Sequence, residues 1–177
     1  LISGAGSEGT NDVNADSTVR FGNSADVKAA NISANASNHF TKADIGTNVN
    51  GESAGAITVA GAAVRTDLAM NSLVVVEDNV TLIVKDDSPA GGGIALSTFN
   101  DIFYYDSAAY KGGGVVSGIG GSSTLDTFDD EDPDEDDGNM LVGTVQIGTD
   151  PTSGADSNIT LSSTGDIRLA SNTEVDA

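Results

Sequence analysis

The chain has 177 residues with seven Lys and Arg against 27 Asp and Glu, a net charge of −20. That surface repels phosphate backbones and anionic lipid, which excludes nucleic-acid binding and disfavours membrane surfaces. With no Cys, disulfides and thiolate metal sites are excluded, and with only five Phe, three Tyr and no Trp, the bulky core of a compact enzyme is missing.

In chain order, the first element is a phrase of small residues, Ile2-Ser3-Gly4-Ala5-Gly6. Its continuation, Gly4-Ala5-Gly6-Ser7-Glu8-Gly9, spells the dinucleotide fingerprint GxGxxG. That fingerprint needs a strand before it and a helix after it, and Thr10-Asn11-Asp12-Val13-Asn14 is a poor helix. Without that context the nucleotide reading is set aside. Val19-Arg20-Phe21-Gly22 then alternates apolar and other residues at period two, the mark of a half-buried strand. Ala25-Asp26-Val27 and Asn31-Ile32-Ser33-Ala34 follow, and the latter leads to Asn38-His39-Phe40. His39 is the only histidine. It reads as a turn residue, since common zinc sites need further His or Cys ligands.

Gly51-Glu52-Ser53-Ala54-Gly55 spells GxSxG, the nucleophile elbow of α/β-hydrolases. The elbow requires a strand–turn–helix context with a His after the Ser, but His39 precedes Ser53, so this reads as a glycine-rich turn. The same four phrases then return. The small-residue phrase reads Thr58-Val59-Ala60-Gly61-Ala62 and later Val116-Ser117-Gly118-Ile119-Gly120. The alternating phrase reads Val74-Val75-Val76-Glu77 and later Val145-Gln146-Ile147-Gly148. Asn79-Val80-Thr81-Leu82 is nearly copied in Asn158-Ile159-Thr160-Leu161, and Gly93-Ile94-Ala95-Leu96 in Asp166-Ile167-Arg168-Leu169. The strongest candidate for a helical turn is Asn100 to Lys111.

The copies of the alternating phrase begin at Val19, Val74 and Val145, spacings of 55 and 71 residues. The excess matches an acidic insertion over 126–140. The chain therefore reads as one repetitive β domain with units 1–56, 57–114 and 115–177, a segment of a longer, processed array. Short alternating strands cannot bury one apolar face alone, so the units are expected to coil into a solenoid. At about 20–25 residues per rung and about 4.8 Å between rungs, the expected rod is roughly 35–40 Å long. The predicted fold class is all-β, a parallel β-helix. The alternative is a β-sandwich, a pilin-like or surface-layer subunit in which Leu1 to Asp16 donates a strand to a neighbour.

The phrases resemble the repeats of large secreted bacterial filamentous adhesins, of the filamentous-haemagglutinin and leukotoxin-like adhesin type. Those repeats look like Val-x-Ile-Gly-x-x-Ala-x-Val-x-Ala-x-x-Ile followed by a Gly- and Ala-rich strand. Val19 to Ile32 is similar nearly throughout, and Val74 to Ile94 and Val145 to Ile167 are similar with insertions. The resemblance implies a right-handed parallel β-helix, secretion to the cell surface, and a structural or adhesive role. It brings no catalytic residues, and the acidic insertion departs from it.

Two kinds of candidate site remain. The run Asp126 to Gly138 is dense in carboxylates, and Asp129, Asp130, Asp132, Asp134, Asp136 and Asp137 are the candidate ligands for calcium, an oxygen-seeking ion. Gly138 falls one position late for an EF-hand loop and no Glu closes it, so a solvated loop that keeps rods apart is the competing reading. Asn31, Asn35, Asn79 and Asn158 each begin an Asn-x-Ser/Thr sequon, a candidate glycosylation site. The functional expectation is an extracellular filament or adhesin stalk that self-associates head to tail, displays loops to a cell-surface or glycan target, and neither inserts into a membrane nor binds nucleic acid. A β-helix enzyme acting on polysaccharide is the lesser alternative, because Lys, Arg, His and aromatic residues are scarce.

Overall fold

The computed structural model describes residues 2–43, 49–85, 91–105, 108–127, 141–148 and 158–176. Among these the chain is all β-strand, and every ladder is parallel. The first coil comprises β1 (Ile2–Phe21), β2 (Asp26–Ala29), β3 (Ile32–Lys42) and β4 (Val49–Ala54). The second comprises β5 (Ile57–Val76), β6 (Thr81–Val84), β7 (Ile94–Tyr104) and β8 (Ala108–Gly113). The third comprises β9 (Val116–Asp126), β10 (Leu141–Ile147), β11 (Thr160–Ser163) and β12 (Ile167–Asp176).

Equivalent strands stack into four sheets. Sheet A holds β1, β5 and, on the far side of β5, both β9 and β10. Sheet B holds β2, β6 and β11; sheet C holds β3, β7 and β12; sheet D holds β4 and β8. This is a parallel β-solenoid, not a sandwich. The segment read as a free strand donor is instead the first half of β1, paired in register with β5 from Ile2↔Ile57 onward.

The repeated phrases meet in space. Val19 and Val145 both pair with Val74, Val27 and Leu161 with Leu82, and Ile32 and Ile167 with Ile94. The small-residue phrase meets one residue earlier than its sequence alignment suggests: Ile2 pairs with Ile57, not Thr58. In a strand that shift exchanges the inner and outer faces, which is why Thr58 is buried and Ile57 is exposed.

Two expectations are corrected. One turn of the solenoid takes a whole repeat, not 20–25 residues, so the chain makes three coils. Three strands at about 4.8 Å span only about 10 Å along the axis, so a broad slab replaces the expected rod. Its long side is β1, whose 20 residues extend roughly 65 Å at about 3.3 Å each. Asn100 to Lys111 is not helical either: β7 runs through Tyr104 and β8 starts at Ala108.

Within a coil the chain runs out along sheet A, turns through sheet B, and returns along sheets C and D on the opposite face. Asn38 Nδ2 donates to Ala15 O at 3.2 Å, Ser7 Oγ to Asn50 O at 2.6 Å, and Ser3 Oγ to Ala54 O at 2.8 Å, so the return is antiparallel to the outward run. At the turning end the core is aliphatic. Val74, Val76, Val80, Leu82, Val84, Ile94 and Leu96 of the middle coil are 0–1% exposed, with Val19, Val27, Val145 and Leu161 of the outer coils packed on them. A second cluster, Leu68, Met70 and Ile102, lies further along.

A polar band separates the clusters. Asn38 Nδ2 donates to Asn100 Oδ1 at 3.1 Å and to Asn71 O at 2.9 Å, and Asn100 Nδ2 donates to Val142 O at 2.9 Å. These buried amides tie sheet C to the backbone of sheet A through the interior, where an unpaired amide is costly. Corners use turn chemistry. Ser24 (φ 64) and Asn79 (φ 58) occupy the same left-handed position in successive coils, and Ser24 N donates to Asp78 O at 3.0 Å. At the corner between sheets B and C, a Cβ on Gly92 would overlap the Ala30 carbonyl and Val84, so only glycine fits.

Candidate functional site

The surfaces that distinguish this molecule are its two axial ends. The first coil leaves one edge of β1, β2, β3 and β4 outside every ladder, and the third coil leaves one edge of β9, β10, β11 and β12, among the described residues. Burial follows the same asymmetry. The buried apolar side chains are mostly from the middle coil, with Ile32, Ala34 and Ala36 from the first and none from the third among the described residues. Ile167 and Leu169 continue the columns of Ile94 and Leu96, which are 1% exposed, yet they are 44% and 52% exposed themselves. Each is an inward-facing side chain covered on one axial side only.

Charge on the lateral faces is arranged across coils. Arg20 Nη1 lies 2.5 Å from Glu77 Oε1, and Asn23 N donates to Glu77 Oε2 at 2.6 Å. The Asn23 hydrogen bond, and then the Arg20 guanidinium, hold the Glu77 carboxyl below its ordinary value. Arg65 pairs with Asp67 at 2.6 Å and with Asp126 at 3.1 Å, joining the second and third coils.

His39 is not a turn residue. It lies within β3, where its Nδ1 is 2.7 Å from Asp101 Oδ2 in the next coil and its Nε2 is 2.8 Å from Thr41 Oγ1. Hydroxyl, imidazole and carboxylate stand in the order of a hydrolytic relay. The imidazole is 64% exposed on the outer face, so its evident role is to link the first coil to the second. Sequence reasoning missed this link because the partner lies 62 residues away. Both enzyme-like motifs prove to be strand: Gly4 to Gly9 is part of β1, and Gly51 to Ala54 is part of β4, where Ser53 Oγ meets Ser3 Oγ at 3.1 Å.

Asp129, Asp130, Asp132, Asp134, Asp136 and Asp137 lie outside the described residues. Asp126, which leads into them, is half-buried against Arg65. The four sequon asparagines are all exposed. Asn31 Oδ1 accepts from Gly93 N at 2.9 Å, Asn35 Oδ1 from Ser97 Oγ at 3.2 Å, Asn79 holds the left-handed turn, and Asn158 precedes β11. Asn31 and Asn35 lie on the first coil, whereas the register that pairs Thr160 with Thr81 sets Asn158 beside Asn79 in the neighbouring coil.

Two open grooves mark the lateral faces. One, about 570 Å³, follows the outward glycine column Gly6, Gly61 and Gly120. The other, about 510 Å³, runs over Asn31, Ser33, Gly92, Asp166 and Arg168. Among the described residues no helix is long and apolar enough to cross a membrane. Comparison with protein-family models, curated proteins and solved structures finds no match for this chain.

Proposed function

We propose that this chain is a structural segment of an extracellular surface filament or adhesin stalk, and that it works by axial stacking of coils. The observation that carries the reading is the half-covered core of the third coil, above all Ile167 and Leu169. A further coil laid against that edge buries both side chains and pairs the free ladder groups. Burying a side chain of this size favours association by about 1.5–3 kcal/mol when complete.

The partner is a second copy in the same orientation. Parallel ladders continue only when the third coil of one copy meets the first coil of the next, a heterologous contact that does not close and therefore grows a fibre. Carrying the internal register onward sets Ile167 against Ile32 of the next copy, Leu161 against Val27, and Val145 against Val19. These are apolar on apolar. The likeness of the repeats to filamentous adhesins points the same way. In this reading the chain is not an enzyme. Its lateral loops meet a cell-surface or glycan target, calcium binds the acidic run beyond Asp126, and glycans attach at the exposed sequons.

Sedimentation velocity over a concentration series tests it. The parent chain associates progressively, while Leu169→Lys, which places an ammonium on the stacking edge, remains monomeric with unchanged circular dichroism. A parent chain that stays monomeric at every concentration, or a variant that associates equally, sinks the proposal.

A further inference from the structure

Aromatic side chains are few in this chain, and those whose surroundings are described divide by face. Phe21, Phe40 and Tyr104 pack against the core. Phe99, Phe103 and Tyr105 all lie on the outer face of sheet C, and all belong to the middle coil. Ile94, Leu96, Thr98, Asn100 and Ile102 of β7 are buried, so alternation turns Ser97, Phe99, Asp101 and Phe103 outward. Tyr105 N donates to Lys42 O at 2.7 Å, which carries the ladder one residue past β7, and Tyr105 follows the core-packed Tyr104. Phe103 is 42% and Tyr105 45% exposed, and Phe99 is half-buried. β3 flanks β7 on one side and β12 on the other, so this outward exposure depends on neither axial edge.

The row therefore reads ring, carboxylate, ring, ring at positions 99, 101, 103 and 105. Successive members stand about 6.6 Å apart, two residues of strand rise. Asp101 is 35% exposed between the two Phe rings, with its Oδ2 2.7 Å from His39 Nδ1. The ladders set Ser37 and Asn172 beside Phe99 and Thr41 beside Phe103, while Glu174 and Asp176 take the register positions next to Asp101 and Phe103. Among the described residues no lysine or arginine points outward on this half of the sheet, since Lys42 donates inward to Thr66 Oγ1 at 2.9 Å.

We propose that this row is a docking surface for an extended, arginine-bearing segment of a partner protein. An extended chain presents alternate side chains on one face at the same spacing as the row. A guanidinium stacks on an aromatic ring and pairs with a carboxylate through parallel N–H donors, so arginine engages both components of the row. A lysine answers the charge but lacks the planar fork. The net charge of −20 attracts a cationic segment and repels a second copy of this chain. Such docking is one form of the display to a surface target proposed for the lateral faces, carried by a strand face in place of loops, and it needs no axial growth.

The probe is a fluorescently labelled peptide that alternates Arg with Gly and is long enough to span the four positions. It is titrated with the intact chain and followed by anisotropy at physiological salt, where exposed charges more than about 8 Å apart are largely screened. The expected result is saturable binding that weakens several-fold for Phe103→Ala and for Tyr105→Ala, both of which leave the net charge unchanged. Asp101→Asn weakens it as well, whereas Asp16→Asn, the same charge change on the outer face of sheet A, does not. A peptide with Lys in place of Arg binds several-fold more weakly. Leu169→Lys retains binding, which separates this surface from axial stacking. No saturable binding overturns the proposal. Equal losses for Asp101→Asn and Asp16→Asn with none for Phe103→Ala reduce the binding to net charge and overturn it too. Displacement of the peptide by a neutral glycan makes the row a sugar platform and overturns it equally.

Discussion

The hydroxyls of Thr98, Ser72 and Thr58 are buried with no hydrogen-bond partner among the described residues. An unsatisfied buried hydroxyl carries the desolvation cost without the bond that offsets it. Thr98→Val keeps the shape and removes that cost, so it should stabilise the chain by about 1 kcal/mol in denaturant unfolding. Ser24 offers a second test. Its left-handed backbone suits glycine better than serine, so Ser24→Gly should raise stability by about 1 kcal/mol, whereas the equivalent Asn79 tolerates the conformation already. This explains part of the sequon at Asn79: an asparagine is placed there by turn geometry whether or not a glycan is attached. Glu77 predicts a pH effect with a definite sign. Its folded pKa is depressed by Asn23 and Arg20, so its contribution is fully present above the ordinary value of 4.5 and is lost as pH falls through the lower folded value. The melting temperature of the parent should exceed that of Glu77→Gln above about pH 5, and the gap should close in more acid solution. A gap independent of pH would contradict that linkage.

At the scale of the strand, much was legible because parallel stacking places like on like. Val19, Val74 and Val145 share a column, so their copied alternation in the sequence is the ladder itself. The long strands were harder to see. Gly4 to Asp16 is rich in turn-formers, yet it is half of the 20-residue β1, because in-register pairing with β5 overrides weak local preference. Period-two alternation reveals which residues face inward but not which strands share a sheet. For that reason alternation alone implies too short a coil and hides the one-residue shift between Ile57 and Thr58. The Asn38–Asn100 amide contact is not legible in the sequence, because alternation marks both residues as inward but says nothing of a bridge to the backbone of sheet A. Of the candidate sites, the acidic run lies outside the described residues, and the sequons are exposed, with Asn79 and Asn158 at equivalent places in neighbouring coils.

The whole molecule is a slab about three strands deep, with a well-packed middle coil and two half-covered outer ones. Repeat proteins of this kind gain much of their stability from the interfaces between neighbouring repeats. Each added coil turns an outer layer into an inner one, which makes axial growth self-reinforcing. The net charge of −20 opposes it, since like-charged copies repel until salt screens them. Association should therefore strengthen as ionic strength rises. The most direct test is cryo-electron microscopy of the purified chain at low and physiological salt, with and without calcium. The account predicts unbranched filaments with a 4.8 Å axial repeat and a rise near 14 Å per copy, three strand spacings. Dispersed particles under every condition, or filaments lacking the 4.8 Å repeat along their axis, would contradict it.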